Sequence, residues 1–289
     1  MGPIRSLKKR LTLIPMDKFL YLDNNIISEL VSKNIQPKDS YIIPPSIELI
    51  FEFTNGHILL DKETRIILWD RFKKIFNWNY PIKYCGNIIY DYIDNFPNPT
   101  TPLLMAKDDF YNFIKYIPQS GYDILSSSDW NTIKTQVLEN RNNTRKWFTA
   151  ILNNGDSLKK WRIEKSKYKN ISYEDNYRNV VEKECLAGLL SNLITLITPH
   201  KHYSTELCLK LIDYPPILTL IKFVLMIWNE QLPEKSTPQI KESDILDYWH
   251  SLCSAAIGRF STNDNQLKKR IKLMNLPIQF IDSEDLCKC

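Results

Sequence analysis

The strongest chemical signal in the sequence comes from six carboxylates. Asp23 follows the apolar run Phe19-Leu20-Tyr21-Leu22, and Asp264 follows Arg259-Phe260-Ser261-Thr262. Glu48 and Glu52 stand four apart, and Asp244 and Asp247 three apart, so each pair shares one face of a helix. Mg²⁺ and Mn²⁺ are hard cations that prefer carboxylate and water oxygens. Carboxylates packed together repel one another unless a cation neutralises them, so a convergent set is costly without metal. At a phosphodiester, a bound cation stabilises the charge that builds on oxygen and lowers the pKa of a bound water, which becomes the nucleophile. On this reading Asp23, Glu52, Asp247 and Asp264 are the metal ligands and the catalytic set. Glu48 competes with Glu52, and Asp244 competes with or supports Asp247. Asn25 and Thr262 read as groups that hold the ligand carboxylates through hydrogen bonds. Taken singly, each Asp reads more readily as a cap or turn carboxylate, Glu52 also reads as a solvated helix face, and Asn25 and Thr262 equally as turn and strand-end residues; their order and neighbours make them a set.

Elements at both ends of the chain must position these groups. Residues 18–22 read as a buried strand, 26–33 as an amphipathic helix and 41–43 as a second strand. Pro44-Pro45-Ser46 stops that strand, with Ser46 as N-cap of a helix over 47–53 that ends before Gly56. Near the C-terminus, 243–257 reads as a helix and 259–262 as a strand. A turn at 263–265, a helix over 266–274 and a last strand over 278–281 follow. Strands alternating with helices predict an α/β fold with a parallel sheet, whose sites lie at the carboxyl ends of the strands. The core then comprises residues 17–60 and 241–289. Between them, 61–240 reads as a large, mostly helical insertion or subdomain, with helices over 65–76, 107–116, 129–153, 176–197 and 204–228 and Pro-rich loops near Pro97, Pro99 and Pro102.

The same residues carry a resemblance to a known family. Leu22-Asp23-Asn24-Asn25 resembles the L-D-x-N opening of PIN-domain nucleases. Glu52-Phe53, four residues before Gly56, is similar to the E-L-x-x-G that closes an apolar helix in that family, and this spacing favours Glu52 over Glu48. Asp247-Tyr248-Trp249-His250 resembles its D-x-x-H helix, and Phe260-Ser261-Thr262-Asn263-Asp264 resembles its closing F-x-T-x-D. The resemblance covers about 20–56 and 242–283. It implies a Rossmann-like α/β/α sandwich that binds one or two Mg²⁺ or Mn²⁺. It also implies endoribonuclease activity by in-line hydrolysis leaving a 5′-phosphate, most often in the toxins of toxin–antitoxin systems. The long helical stretch distinguishes this chain from a compact PIN domain. It motivates an alternative, a DNA nuclease acting as effector of antiphage defence. A third alternative is a PIN-like scaffold that binds nucleic acid or protein without cutting.

Other candidates compete less well with plain structural roles. His250 reads as packing beneath the sheet on the Asp247 helix rather than as a proton donor or zinc ligand. His200-x-His202 with Cys208 lacks a second ligand pair. The stretch Lys159-Lys160-Trp161-Arg162 to Lys169 mixes cations with aromatics, a combination that suits phosphates and bases. Arg141, Arg145, Lys146 and Trp147 lie upstream on a helix. Lys268, Lys269, Arg270 and Lys272 follow the Asp264 loop, where a phosphate backbone would pass. The nucleic-acid-binding set is Lys159, Lys160, Arg162, Lys268, Lys269 and Arg270, each weighed against an ordinary solvated basic face.

The composition, 43% hydrophobic and 25% charged, is that of an ordinary globular chain. Its 7 glycines include no phosphate-loop or dinucleotide fingerprint, which removes those nucleotide-binding classes. A net charge of +5 is compatible with a polyanion. The six cysteines form no C-x-x-C pair, as expected of thiols in a reducing cytoplasm. No signal peptide is evident, and the longest apolar stretch, 217–228, is too short to span a bilayer. The expectation is therefore a cytoplasmic protein without a membrane partner. The partner classes left open are a nucleic acid (RNA before DNA), an antitoxin or defence-system protein, and a second copy of the chain.

Overall fold

The computed structural model describes residues 16–57, 59–83, 85–97, 128–153, 159, 183–198, 200–231 and 239–287. Within them the fold is α/β. β1 (Tyr21–Leu22), β2 (Arg259–Ser261) and β3 (Gln279–Phe280) form one parallel sheet in that order. Tyr21 registers with Phe260 and Leu22 with Ser261, while Phe260 also registers with Phe280. The two ends of the chain are thus paired in one ladder. Phe19 to Leu22 are all buried to 1% exposure or less, and the helix Glu242–Ile257 packs on β1 and β2.

α1 (Asn24–Lys33) follows β1 directly, with Asp23 at its N-cap position. α2 (Ile47–Gly56) begins as expected at Ser46, whose hydroxyl accepts from Leu49 N–H. It runs through Gly56 and ends at His57, a turn later than expected; the His57 ring Nδ1–H donates to Phe53 O at 2.7 Å and completes that end. The strand expected at 41–43 is reduced to one parallel bridge, Phe19 with Ile42. Pro44 and Pro45 supply no N–H to extend the ladder. Their neighbours turn elsewhere: Ile43 O accepts from Asn77 N–H and Pro45 O from Ile82 N–H.

The middle of the chain is helical where it is described. It comprises α3 (Lys62–Ile75), α4 (Cys85–Asp94), α5 (Ser128–Leu152), α6 (Lys183–Ile197), α7 (Thr205–Leu211) and α8 (Pro215–Gln231). The sequence reading missed α4. The single helix expected over 204–228 is two helices meeting at 108°, since Pro215 and Pro216 cannot continue the first. No single helix among the described residues is long and apolar enough to cross a membrane. The helix expected at 107–116 and the cation–aromatic run 160–169 lie outside the described residues.

α9 (Glu242–Ile257) is buried on nearly every side. It ends at Gly258, whose φ of +85° suits glycine, and the chain turns there into β2. α10 (Asn265–Leu273) follows β2, and a short α11 (Ser283–Leu286) follows β3. One hydrophobic cluster runs through both parts of the chain. Phe148 of α5 and Phe223 of α8 pack edge-on or tilted against Tyr248 of α9, with ring centroids 4.7 and 5.2 Å away. Phe72 of α3 stacks on Phe53 of α2 at 4.3 Å.

Candidate functional site

The carboxyl ends of β1 and β2 bring Asp23, Thr262 and Asp264 together. Asp23 N–H donates to Ser261 O across the ladder. Thr262 Oγ1–H donates to Asp23 Oδ2 at 2.6 Å, and Asn25 Nδ2–H reaches the same oxygen at 3.3 Å. Thr262 Oγ1 in turn accepts from Asp264 N–H at 2.9 Å. Asn25 and Thr262 therefore both hydrogen-bond the Asp23 carboxylate. The Asp264 Oδ1 atom accepts from Gln266 and Leu267 N–H, so its carboxylate caps α10, where its charge also favours the helix dipole.

Both donors to Asp23 use Oδ2, and Oδ1 faces His250 Nε2 at 3.7 Å. Glu52 Oε2 lies 3.6 Å from the same imidazole nitrogen. The acidic residue after β1 and the one on α2 thus converge on one side chain of α9. His250 Nδ1 donates to Tyr21 OH at 3.1 Å. Burial alone would push the imidazole pKa down, but the Glu52 and Asp23 carboxylates outweigh it and hold His250 up at about 10. His250 is therefore an imidazolium at neutral pH. His250 is buried against Tyr21 of β1, as the sequence led us to expect, and its position three residues after Asp247, on the same helical face, also sets it with the carboxylates.

A second cation, Arg141 of α5, also reaches the centre. Its Nη2 lies 3.6 Å from Glu52 Oε1, and its Nη1 donates to Glu242 Oε1 at 3.2 Å. The sequence marked Arg141 only as one of several helix cations; only the packing of α5 on α2 and α9 shows its partners.

A third cation corrects an expectation. Arg270 does not face outward as a phosphate contact. It is 9% exposed on the buried stripe of α10, beside Leu267 and Ile271. It donates to Asp244 at 3.0 Å, to Asp247 at 2.5 Å and to both carboxylate oxygens of Glu230. Its three carboxylate partners are the physical reason for its burial. Asp244 also accepts from Lys241 N–H at the start of α9. Burial raises the Asp247 pKa against the pull of Arg270 and His250, and the charge of Asp264 adds to the rise. Asp247 thus lies within electrostatic reach of the first cluster. Glu48 is buried one turn before Glu52. Lys268 is half-buried, and Lys269 and Lys159 are exposed; Lys160 and Arg162 lie outside the described residues.

The donor set suits a hard cation: among the described residues Asp23 Oδ1 accepts no hydrogen bond, and Glu52 Oε1 is buried without one. Among the described residues, however, no three His, Cys, Asp or Glu side chains are grouped so that they could already hold a metal ion. Among the described residues, His250, Arg141 and Arg270 bring positive charge to Asp23, Glu52, Asp244 and Asp247.

Compared with protein-family models, curated proteins and solved structures, the chain finds no significant match in any of the three.

Proposed function

We propose that the chain is a metal-dependent nuclease of PIN-like, Rossmann-like architecture that hydrolyses phosphodiester bonds, RNA before DNA. The observation that carries this reading is the convergence of Asp23 and Glu52, from separate elements, on one imidazole nitrogen beside Asp264 and Asp247. Asp23 and Glu52 would hold Mg²⁺ or Mn²⁺, with Asp247 and Asp264 as the neighbouring carboxylates. The cation, when bound, would supply charge stabilisation and an activated water. The chain's own groups do the rest. Thr262 and Asn25 fix the rotamer of Asp23, and Asp264 fixes the turn that presents Thr262. His250 brings its charge within 3.7 Å of Asp23 and 3.6 Å of Glu52, and Lys268 and Lys269 offer charge to a passing backbone.

The test is cleavage of labelled single-stranded RNA, structured RNA and DNA with Mn²⁺, wild type against Asp23→Asn. Asp23→Asn should reduce the rate by roughly a hundredfold or more. Equal rates in both proteins, or no cleavage of any substrate, would refute the proposal. The substrate arms separate the ribonuclease from the DNA-nuclease effector. A second reading, a scaffold that binds without cutting, is favoured by one observation: the carboxylates already have His250, Arg141 and Arg270 as partners. It requires that Asp264→Asn leaves function intact and that calorimetry detects no Mn²⁺ binding.

A further inference from the structure

Arg141 occupies a place where an arginine is costly. It lies on the buried stripe of α5 that also carries Val137 and Phe148, and its side chain is 11% exposed. The aromatic faces of Phe51 and Trp249 lie 4.9 and 5.6 Å from its Cζ and hold the guanidinium plane in place. Nη1 donates to Glu242. Nε and Nη2 are buried and donate to nothing among the described residues. These two nitrogens form one side-on edge of the guanidinium fork, since Nε–H and Nη2–H point the same way. Glu52 Oε1, at 3.6 Å from Nη2, meets that edge as a charge and not as a hydrogen bond.

Two buried donors on one edge, beside the acidic centre and held by two aromatic rings, fit an oxyanion that accepts both hydrogen bonds at once. We infer that Arg141 is a phosphate-binding residue, whose Nε/Nη2 edge receives two oxygens of one nucleic-acid phosphate at this site. The inference rests on the nuclease reading and extends it: the helical segment would contribute a substrate contact. Glu52 and Glu242 oppose an anion here, so binding should be stronger when a divalent cation offsets Glu52.

The test is binding without cleavage, using a short fluorescein-labelled single-stranded RNA and the DNA of the same sequence, with Ca²⁺ as the cation, over a series of salt concentrations. Arg141→Met should weaken binding by roughly tenfold or more and reduce the salt slope by about one. Arg141→Lys, which keeps the charge and loses the fork, should keep the slope yet bind more weakly than wild type. Circular dichroism and thermal melts establish that each variant folds; if Arg141→Met does not, Arg141→Lys decides. Affinity of Arg141→Lys equal to wild type at every salt concentration overturns the inference. If wild type cleaves and Arg141→Met binds and cleaves equally well, this inference falls and the nuclease reading stands. If wild type binds through Arg141 but never cleaves with Mn²⁺, the inference stands and the nuclease reading falls. If wild type binds neither oligonucleotide, both fall.

Discussion

His250 shows how a buried residue comes to be defined by its neighbours. Its imidazolium is 6% exposed and lies between two carboxylates that are themselves largely out of water. Removing one partner of a buried ionic set leaves the others uncompensated, which is strongly destabilising. We expect His250→Leu to lower stability by about 3 kcal/mol in urea unfolding with chelator present. The sign of the pH dependence follows from the raised pKa. The folded state binds the proton more tightly than the unfolded chain, whose histidine titrates near 6.5. The stabilisation from His250 is therefore complete below about pH 6.5 and is lost as pH rises towards 10. The wild type should fall towards the variant across that window, and a stability difference that stays constant with pH would contradict the account.

At the scale of elements, two helix boundaries hold the site in register. Asp264 caps α10 through two backbone N–H groups, which directs the Asp264 amide to Thr262 and the Thr262 hydroxyl to Asp23. Gly258 ends α9 with a left-handed residue, so that the helix bearing Asp247 and His250 feeds at once into the strand bearing Thr262. A Cβ at Gly258 meets nothing within 4 Å, so substitution strains the backbone without a clash. Gly258→Ala should cost about 1 kcal/mol. Thermal unfolding measures it, and an unchanged or higher melting temperature would show that the φ is not needed.

At the scale of the molecule, the helical middle and the α/β ends share one apolar cluster. Trp228 of α8, fully buried, donates to Leu152 O at the end of α5, and both helices pack on α9. α9 is apolar on sides that the sheet does not cover; exposing them would leave Tyr248, Leu252 and Phe223-facing surface in water. A chain in which a short linker replaces residues 61–240 should therefore fail to fold. Dispersed amide resonances from that protein, measured by NMR, would show instead that the ends form a separable core.

The sequence by itself determined the local signals. Ser46 as N-cap, the helix over Asp244 and Asp247, and the strand before Thr262 follow from spacing and capping chemistry, which act within a few residues. The α/β character was legible for the same reason. What only the tertiary structure decided is which charges meet. Arg141 and Arg270 are both cations on helices; Val137 and Leu267, one turn before them, mark apolar faces, but that spacing names no partner for either guanidinium. Their partners Glu52, Glu242, Asp244 and Glu230 lie far along the chain and are brought near by helix packing. The shrinking of 41–43 to one bridge and the conversion of His250 from a core residue into the charge shared by Asp23 and Glu52 have the same origin. Pairing and burial depend on residues distant in sequence, and only the fold brings them together.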